Sequence, residues 1–255
     1  MGGALLAGWL DQGIGPADMV VVDPQYDSAA GPAGVRAFSS SDDLPGGFAP
    51  DVVLLAVKPQ VMDQVVPAYR RFADAVFLSI AAGRTIASLE TILGGDAAIV
   101  RAMPNTPASV RRGATGLFAN RNVTPAQRAA CDQLVTAVGQ AVWVEAEKQL
   151  DAVTALSGSG PAYVFLLVEA MEAAGARLGL PADTARLLAR ATVAGAGELL
   201  RQSPLPAASL RQNVTSPNGT THAALQVLMR DRGGLAGLMS EALAAAARRA
   251  EELAG

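Results

Sequence analysis

Nine consecutive positions, residues 213–221, concentrate the groups best suited to hold a small anion. They read Asn-Val-Thr-Ser-Pro-Asn-Gly-Thr-Thr. Ser216-Pro217 and Asn218-Gly219 are turn dipeptides. Thr220 and Thr221 precede a periodic apolar run, Ala224, Leu225, Val227 and Leu228, so a helix N-cap is expected at the two threonines. The start of a helix leaves backbone N–H groups unpaired at the positive end of its dipole, which suits a carboxylate or a phosphate. Taken locally, the same pattern also describes an ordinary capped helix after a surface turn. The elements around it have to decide between the two.

Those elements fall into two halves. In the first, residues 19–23 (MVVVD), 52–57 (VVLLAV), 75–80 (AVFLSI) and 99–103 (IVRAM) are short, nearly continuous apolar runs rich in Val and Ile. Such runs suit strands buried on both faces, as in a parallel sheet covered by helices. Helical patterns separate them at residues 5–12, 61–72, 86–93 and 126–138, the last opened by Thr124 as N-cap and Pro125 at the first helical position. A short strand is expected at 141–144. Residues 26–50, rich in Ser, Gly, Pro and Asp, read as a loop-rich crossover with a short strand near 35–38. The alternation predicts a doubly wound α/β domain over residues 1–147. From residue 148 to 255 strand patterns cease, and residues 149–157, 162–178, 182–202, 221–229 and 235–253 read as helices. Gly160-Pro161 opens one, and Gly179-Leu180-Pro181 ends it and starts the next. Ala191, Ala194, Gly195 and Gly197 form a small-residue face suited to close helix packing, including packing between subunits.

Composition narrows the function further. The chain has 255 residues, of which 51% are hydrophobic and 17% charged, enough for a well-buried core. A net charge of −3 without a Lys/Arg cluster argues against nucleic acid as a partner. One cysteine, Cys131, excludes an internal disulfide framework, and with His222 as the lone histidine no metal site is expected. No basic residue occurs before Arg36, so the apolar stretch 1–10 lacks the charged region of a signal peptide, and Leu6 stands where a myristoylation signal needs Ser or Thr. No run reaches the roughly 18 uninterrupted apolar residues of a membrane span. The expectation is a cytoplasmic protein with no membrane partner.

Chemistry in a doubly wound sheet gathers at the carboxyl ends of the strands, beside a glycine-rich turn that opens the first helix. Here the chain opens as Met-Gly-Gly-Ala-Leu-Leu-Ala-Gly-Trp, which reads as the start of that helix. In the dinucleotide fingerprint G-x-G-x-x-G the third glycine sits at the helix start and an acid follows about 20 residues later. Gly2 fits that glycine and Asp23 that acid. The expectation is therefore a Rossmann-like sheet lacking its first strand and the first two glycines, on the order of ten residues.

Five segments, taken in order, resemble the pyrroline-5-carboxylate reductase family. They are LAVKPQ at 55–60, SIAAG at 79–83, MPNTP at 103–107 with Gly113 and Gly116 following, DAVTALSGSGPAY at 151–163, and VTSPNGTT at 214–221. Their order and spacing follow the family over nearly the whole chain. The resemblance implies a nucleotide-binding half, an all-helical substrate-binding and dimerisation half, and NADPH or NADH as cofactor. It implies reduction of the C=N bond of pyrroline-5-carboxylate to give proline.

By the same resemblance, Val57, Lys58 and Pro59 lie along the cofactor's ribose and pyrophosphate path. Ala81 and Ala82 let the nicotinamide approach the backbone, and Asn105 is either a polar contact or a turn former. Asn213 contacts the nicotinamide carboxamide. Gly219, Thr220 and Thr221 hold the substrate, Ser216 belongs to the same loop, and Glu147 matches a family acid at the hinge between the halves. Thr221, with Ser216 beside it, is the expected catalytic group, hydrogen-bonding the ring nitrogen as it loses charge. His222, one residue on, is rotated about 100° away from that side of the helix.

Departures from the family pattern bear on the cofactor. Asp23 favours the free ribose hydroxyl of NAD over the phosphate of NADP, whereas the family commonly uses NADPH. Ser41, Asp42 and Asp43 occupy the neighbourhood where relatives often place an Asn for the adenosine ribose. Two other readings accompany the leading one. One is a related imino or β-hydroxy acid dehydrogenase, against which the VTSPNGTT loop speaks. The other is a catalytically impaired assembly protein that only oligomerises. In each case the apolar helical half predicts a homodimer or larger homo-oligomer.

Overall fold

The computed structural model describes residues 1–27 and 31–254; residues 28–30 of the loop-rich stretch lie outside the described residues. The chain divides into two compact units. One comprises residues 1–159 with the chain's end from Ala246, and the other residues 160–245. The division falls later than the change in sequence pattern near 148, because the helical segment just after that point packs within the first unit.

The first unit opens with helix α1 (Gly2–Asp11), followed by strands β1 (Val20–Val22) and β2 (Arg36–Phe38). These two pair in parallel, with Val20 opposite Arg36 and Val22 opposite Phe38. Five further strands, β3 (Val52–Leu55), β4 (Val76–Ser79), β5 (Ala98–Met103), β6 (Gly113–Ala119) and β7 (Gly139–Trp143), form a second sheet in that order. Its strands alternate faces as a doubly covered sheet requires. Val53, Leu55, Phe77 and Ile99 pack with Met62, Val66, Leu89 and Ile92. On the other face Val76, Leu78, Val100 and Leu117 pack with Cys131 and Val135. Helices α2 (Met62–Val65) and α3 (Ile86–Leu93) supply the first layer, and α4 (Pro125–Thr136) the second. Thr124 caps α4 in a reciprocal box with Gln127, as its sequence predicts.

Three elements depart from the sequence reading. Residues 61–72 are not one helix. Pro67 lacks an N–H for the helical ladder, so α2 gives way to a 3₁₀ turn at Val66–Tyr69. Strand β6 was not anticipated, because Gly113, Ala114 and Gly116 carry little strand propensity. It is held instead by pairing on both edges, antiparallel to β5 and parallel to β7. The antiparallel step also breaks the all-parallel sheet that the apolar runs suggested. Last, a seven-residue helix, α8 (Ala207–Asn213), occupies a stretch too short to show periodicity.

After β7 come α5 (Gln149–Val153), a single π-helical turn at Thr154–Gly158, and α6 (Gly160–Arg177). The second unit continues with α7 (Ala182–Gln202), α8, α9 (Thr220–Leu228) and α10 (Leu235–Ala254), the last of which ends in the first unit. The helical run Gln149–Arg177 is long and apolar enough to cross a membrane by length and composition, although no uninterrupted apolar stretch produces it. Its Val164, Phe165, Leu166 and Leu167 are exposed on this chain.

Candidate functional site

In the first unit, the residues singled out by sequence, Gly2 apart, follow the carboxyl ends of strands. Gly2 opens α1 beside Ala56, the residue after β3. A methyl group added at Gly2 would stand 3.2 Å from the Ala56 methyl, tighter than ordinary packing. Met1, at the N-cap, offers no side-chain bond to the helix start, so the first N–H groups of α1 have no side-chain cap. Val57 is half-buried and Lys58 exposed, and Pro59 starts a 3₁₀ turn, Pro59–Val61. Arg84 ties this turn to the one after β4. Its Nε and Nη2 donate to the Pro59 carbonyl at 3.2 and 2.8 Å, and Nη2 also meets Asp63 at 2.6 Å. Sequence reasoning missed Arg84; its only signal is its place directly after SIAAG.

The turn after β4 is built from small residues. Ala81 is buried, with its N–H 3.4 Å from Ser79 Oγ, and Ala82 is exposed. Gly83 adopts φ 73°, and a side chain there would come within 2.7 Å of the Leu253 carbonyl near the end of α10. Two side chains then fix the start of α3. Thr85 accepts from the Ser88 N–H at 3.2 Å. Glu147 Oε1 accepts from the Ile86 N–H at 2.7 Å and from Arg101 Nη1 at 2.6 Å. An acid at a helix start is favoured by its dipole, and this one also neutralises a guanidinium only 11% exposed. The Glu147 carboxylate is thus engaged within its own unit. Burial, outweighing the attraction of Arg101, raises the carboxyl pKa of nearby Asp151, and Glu251 and Glu147 push it the same way.

Asn105 is buried, and both ends of its amide meet backbone. Its Oδ1 accepts from the Ala114 N–H at 2.9 Å and its Nδ2 donates to the Ser157 carbonyl at 3.1 Å. It staples the loop after β5 to the start of β6 and to the π-helical turn. Asp23 follows β1, exposed, with its N–H donated to the Phe38 carbonyl and its Oδ1 accepting from the Gln25 N–H at 2.9 Å. Burial pushes the thiol of Cys131, on the sheet-facing side of α4, up to about 12, which keeps it protonated and unreactive.

The second unit carries the 213–221 segment. Asn213 is the exposed last residue of α8, and Thr215 Oγ1 donates to the Arg211 carbonyl at 2.6 Å. Asn218 adopts the left-handed φ of 58°, which asparagine tolerates, and the Gly219 N–H closes the turn on the Ser216 carbonyl at 3.1 Å. The N-cap of α9 is Gly219 rather than either threonine, and it makes no side-chain cap bond. Thr220 and Thr221 are instead the first two helical residues. A methyl group at Gly219 would overlap Ser216 Oγ, so that hydroxyl lies against the helix start itself. The outcome is a helix start without a side-chain cap and with the Ser216 hydroxyl against it, an arrangement suited to an anion. His222 lies along a groove of about 340 Å³ with Arg211, Gln212, Thr215, Leu225, Gln226 and Met229, its Nε2 3.4 Å from Gln226 Nε2.

Comparison with known proteins covers both units. A family model described as pyrroline-5-carboxylate reductase dimerisation matches residues 147–253, and one described as NADP oxidoreductase, coenzyme F420-dependent, matches residues 1–83. Pyrroline-5-carboxylate reductase of Pseudomonas aeruginosa is 44% identical over 259 residues, covering 100% of this chain and 93% of the relative. The solved structure of a pyrroline-5-carboxylate reductase from Coxiella burnetii matches with a TM-score of 0.92 at 40% identity, covering 99% of this chain and 94% of that one. The pyrroline carboxylate reductase of Plasmodium falciparum, solved with NADP bound, matches with a TM-score of 0.82 at 27% identity over 99% and 94% of the two chains.

Proposed function

The chain belongs to the pyrroline-5-carboxylate reductase family, and from that premise we propose that it reduces the C=N bond of 1-pyrroline-5-carboxylate to give proline, using NADH or NADPH. The observation that carries the reading is the start of α9. Its free N–H groups and the hydroxyls of Ser216, Thr220 and Thr221 suit the substrate's single carboxylate. Both cofactors fit the first unit in the same respect, since Gly2 gives the uncapped start of α1 a side-chain-free approach beside Ala56.

A bound reduced nicotinamide supplies the hydride that the imine carbon accepts. The chain's own residues bind and orient. Gly2, Val57, Lys58 and Pro59 take the pyrophosphate and ribose, with Lys58 offering the charge. Ala81 and Ala82 leave room against the backbone for a planar ring, and Asn213 presents an amide to the carboxamide. Asn105 supports the same region as a staple, through its two backbone bonds. Gly219 and Thr220 hold the carboxylate, and Thr221 hydrogen-bonds the ring nitrogen as its positive charge is lost. Glu147, held by Arg101 and the Ile86 N–H, is assigned to substrate binding on the family resemblance. Such a site accelerates the reaction mainly by holding donor and acceptor in contact.

The chain works as a homo-oligomer, with a dimer as its unit. The exposed Val164, Phe165, Leu166, Leu167, Leu187 and Leu188 supply the apolar face that a second copy covers, in the region of the dimerisation match. Its place is the cytoplasm. The test is Thr221→Ala: kcat/KM for pyrroline-5-carboxylate falls by about 10²-fold or more while the Kd for the nicotinamide cofactor stays within a factor of about two. Equal losses in both would remove Thr221 from its role.

A further inference from the structure

We propose that Arg84 is a positioning residue for the cofactor, fixing the spacing between the turn after β3 and the turn after β4 so that one dinucleotide touches both. The inference rests on the reading above that these two turns hold a nicotinamide cofactor. Strands β3 and β4 pair from Val52 opposite Val76 to Leu55 opposite Ser79, and the Ile80 N–H then donates to the Leu55 carbonyl at 3.2 Å. Beyond that bond, among the described residues, no backbone hydrogen bond joins the two segments. The next joint is the side chain of Arg84 on the Pro59 carbonyl. Between the two joints lie Ala56, Val57 and Lys58 on one segment and Ala81, Ala82 and Gly83 on the other. They include the residues assigned to the ribose and pyrophosphate on one side and to the nicotinamide on the other.

The two turns are not equally secure on their own. The one after β4 is held from several directions. Ala81 is buried, Gly83 lies close under the Leu253 carbonyl, and Thr85 and Glu147 fix the start of α3 that follows. The one after β3 has less. Lys58, Gln60 and Val61 are exposed, and its closing bonds run from the Val61 N–H to the Lys58 carbonyl and from the Met62 N–H to the Pro59 carbonyl. Arg84 brings two more donors to that same Pro59 oxygen, Nε at 3.2 Å and Nη2 at 2.8 Å. Nη2 also meets Asp63 Oδ2 in α2 at 2.6 Å. A guanidinium is a rigid planar fork, so engaging both acceptors sets the direction of the turn as well as its distance. Without that joint, a ligand spanning both turns has to order them as it binds, and affinity falls.

The test compares the whole cofactor with a piece of it. The full chain and its variants are titrated with NADH, with NADPH and with ADP-ribose, which lacks the nicotinamide, and circular dichroism checks the fold. Arg84→Met binds the reduced dinucleotides about tenfold or more weakly than wild type. It binds ADP-ribose, which does not span the two turns, within about twofold of wild type. Arg84→Lys keeps a donor but not the fork and recovers part of the loss. Asp63→Ala removes a carboxylate 67% exposed, leaves the Pro59 bonds in place, and weakens the dinucleotides by about two- to threefold. In every variant KM for pyrroline-5-carboxylate at saturating cofactor stays within about twofold. Unchanged dinucleotide affinity in Arg84→Met overturns the proposal. So does an equal loss for ADP-ribose, which would make Arg84 a direct contact of the pyrophosphate. Should Arg84→Met fail to fold, Asp63→Ala decides, and full dinucleotide affinity there overturns the proposal. Wild type that binds neither dinucleotide overturns the functional reading, and the proposal with it.

Discussion

Alanine at Gly219 is a small change with a calculable consequence. The backbone there, at φ −80° and ψ 176°, admits any residue, so the effect comes from the side chain alone. The added methyl overlaps Ser216 Oγ and stands 3.2 Å from the Ser216 carbonyl oxygen and 3.6 Å from its Cβ. The Ser216 hydroxyl must swing off its rotamer, costing about 0.5–1.5 kcal/mol. Otherwise the start of α9 moves by on the order of 1 Å. Alanine is also the poorer N-cap by roughly 0.5–1 kcal/mol. The sum, about 1–2.5 kcal/mol, lowers Tm by only several degrees in a chain of this size. Turnover is the more sensitive readout, because a displacement of about 1 Å in an orienting site costs on the order of 10²-fold. Steady-state kcat/KM for pyrroline-5-carboxylate in Gly219→Ala, Ser216→Ala and the double variant closes the cycle. With the hydroxyl gone the methyl has room, so the double variant returns to the level of Ser216→Ala. A double variant as impaired as Gly219→Ala refutes the overlap as the cause, and an unimpaired Gly219→Ala refutes the carboxylate cradle.

Asn105→Ala leaves the Ala114 N–H and the Ser157 carbonyl without their partner, so denaturant unfolding should show a loss of about 2–4 kcal/mol. A loss under about 1 kcal/mol would mean that water replaces the staple. Asp151→Asn tests the raised carboxyl. A folded pKa above the ordinary 3.8 means that the folded state holds the proton more tightly, so this group's contribution is full at low pH and lost as pH rises through the folded pKa. The variant therefore has a higher Tm than wild type at pH 7, and the difference vanishes below about pH 3.8. A gain that persists undiminished in acid would point to packing instead.

Much of this is legible in the sequence, and the reasons differ by element. Helices α3 and α7 are located to the residue, because their apolar spacing is regular and their ends carry punctuation. The paired faces of β3, β4 and β5 follow from their apolar runs. Strand β6 escapes because its stability lies in neighbours on both edges rather than in its own residues. The α9 cap is misread by one position, since two threonines are better cap residues than glycine wherever a cap bond forms, and here none does. The engagement of Glu147 with Arg101 and Ile86, and of Arg84 with Pro59, joins residues far apart along the chain. No local pattern encodes such pairs, yet they hold the turns at which a cofactor would be oriented.

The Asn218-Gly219 turn also bears on how the protein ages. An asparagine followed by glycine is open to cyclisation, in which the glycine's backbone nitrogen attacks the side-chain carbonyl carbon, ammonia leaves, and water then opens the cyclic imide to an acid. Here that nitrogen donates its hydrogen to the Ser216 carbonyl, which holds it out of line for attack as long as the turn stays closed. Once the turn opens and the amide is lost, a fixed negative charge stands next to the start of α9, the proposed carboxylate cradle. The same bond that shapes the turn therefore protects it, and damage there would appear as a raised KM for the substrate before any loss of fold.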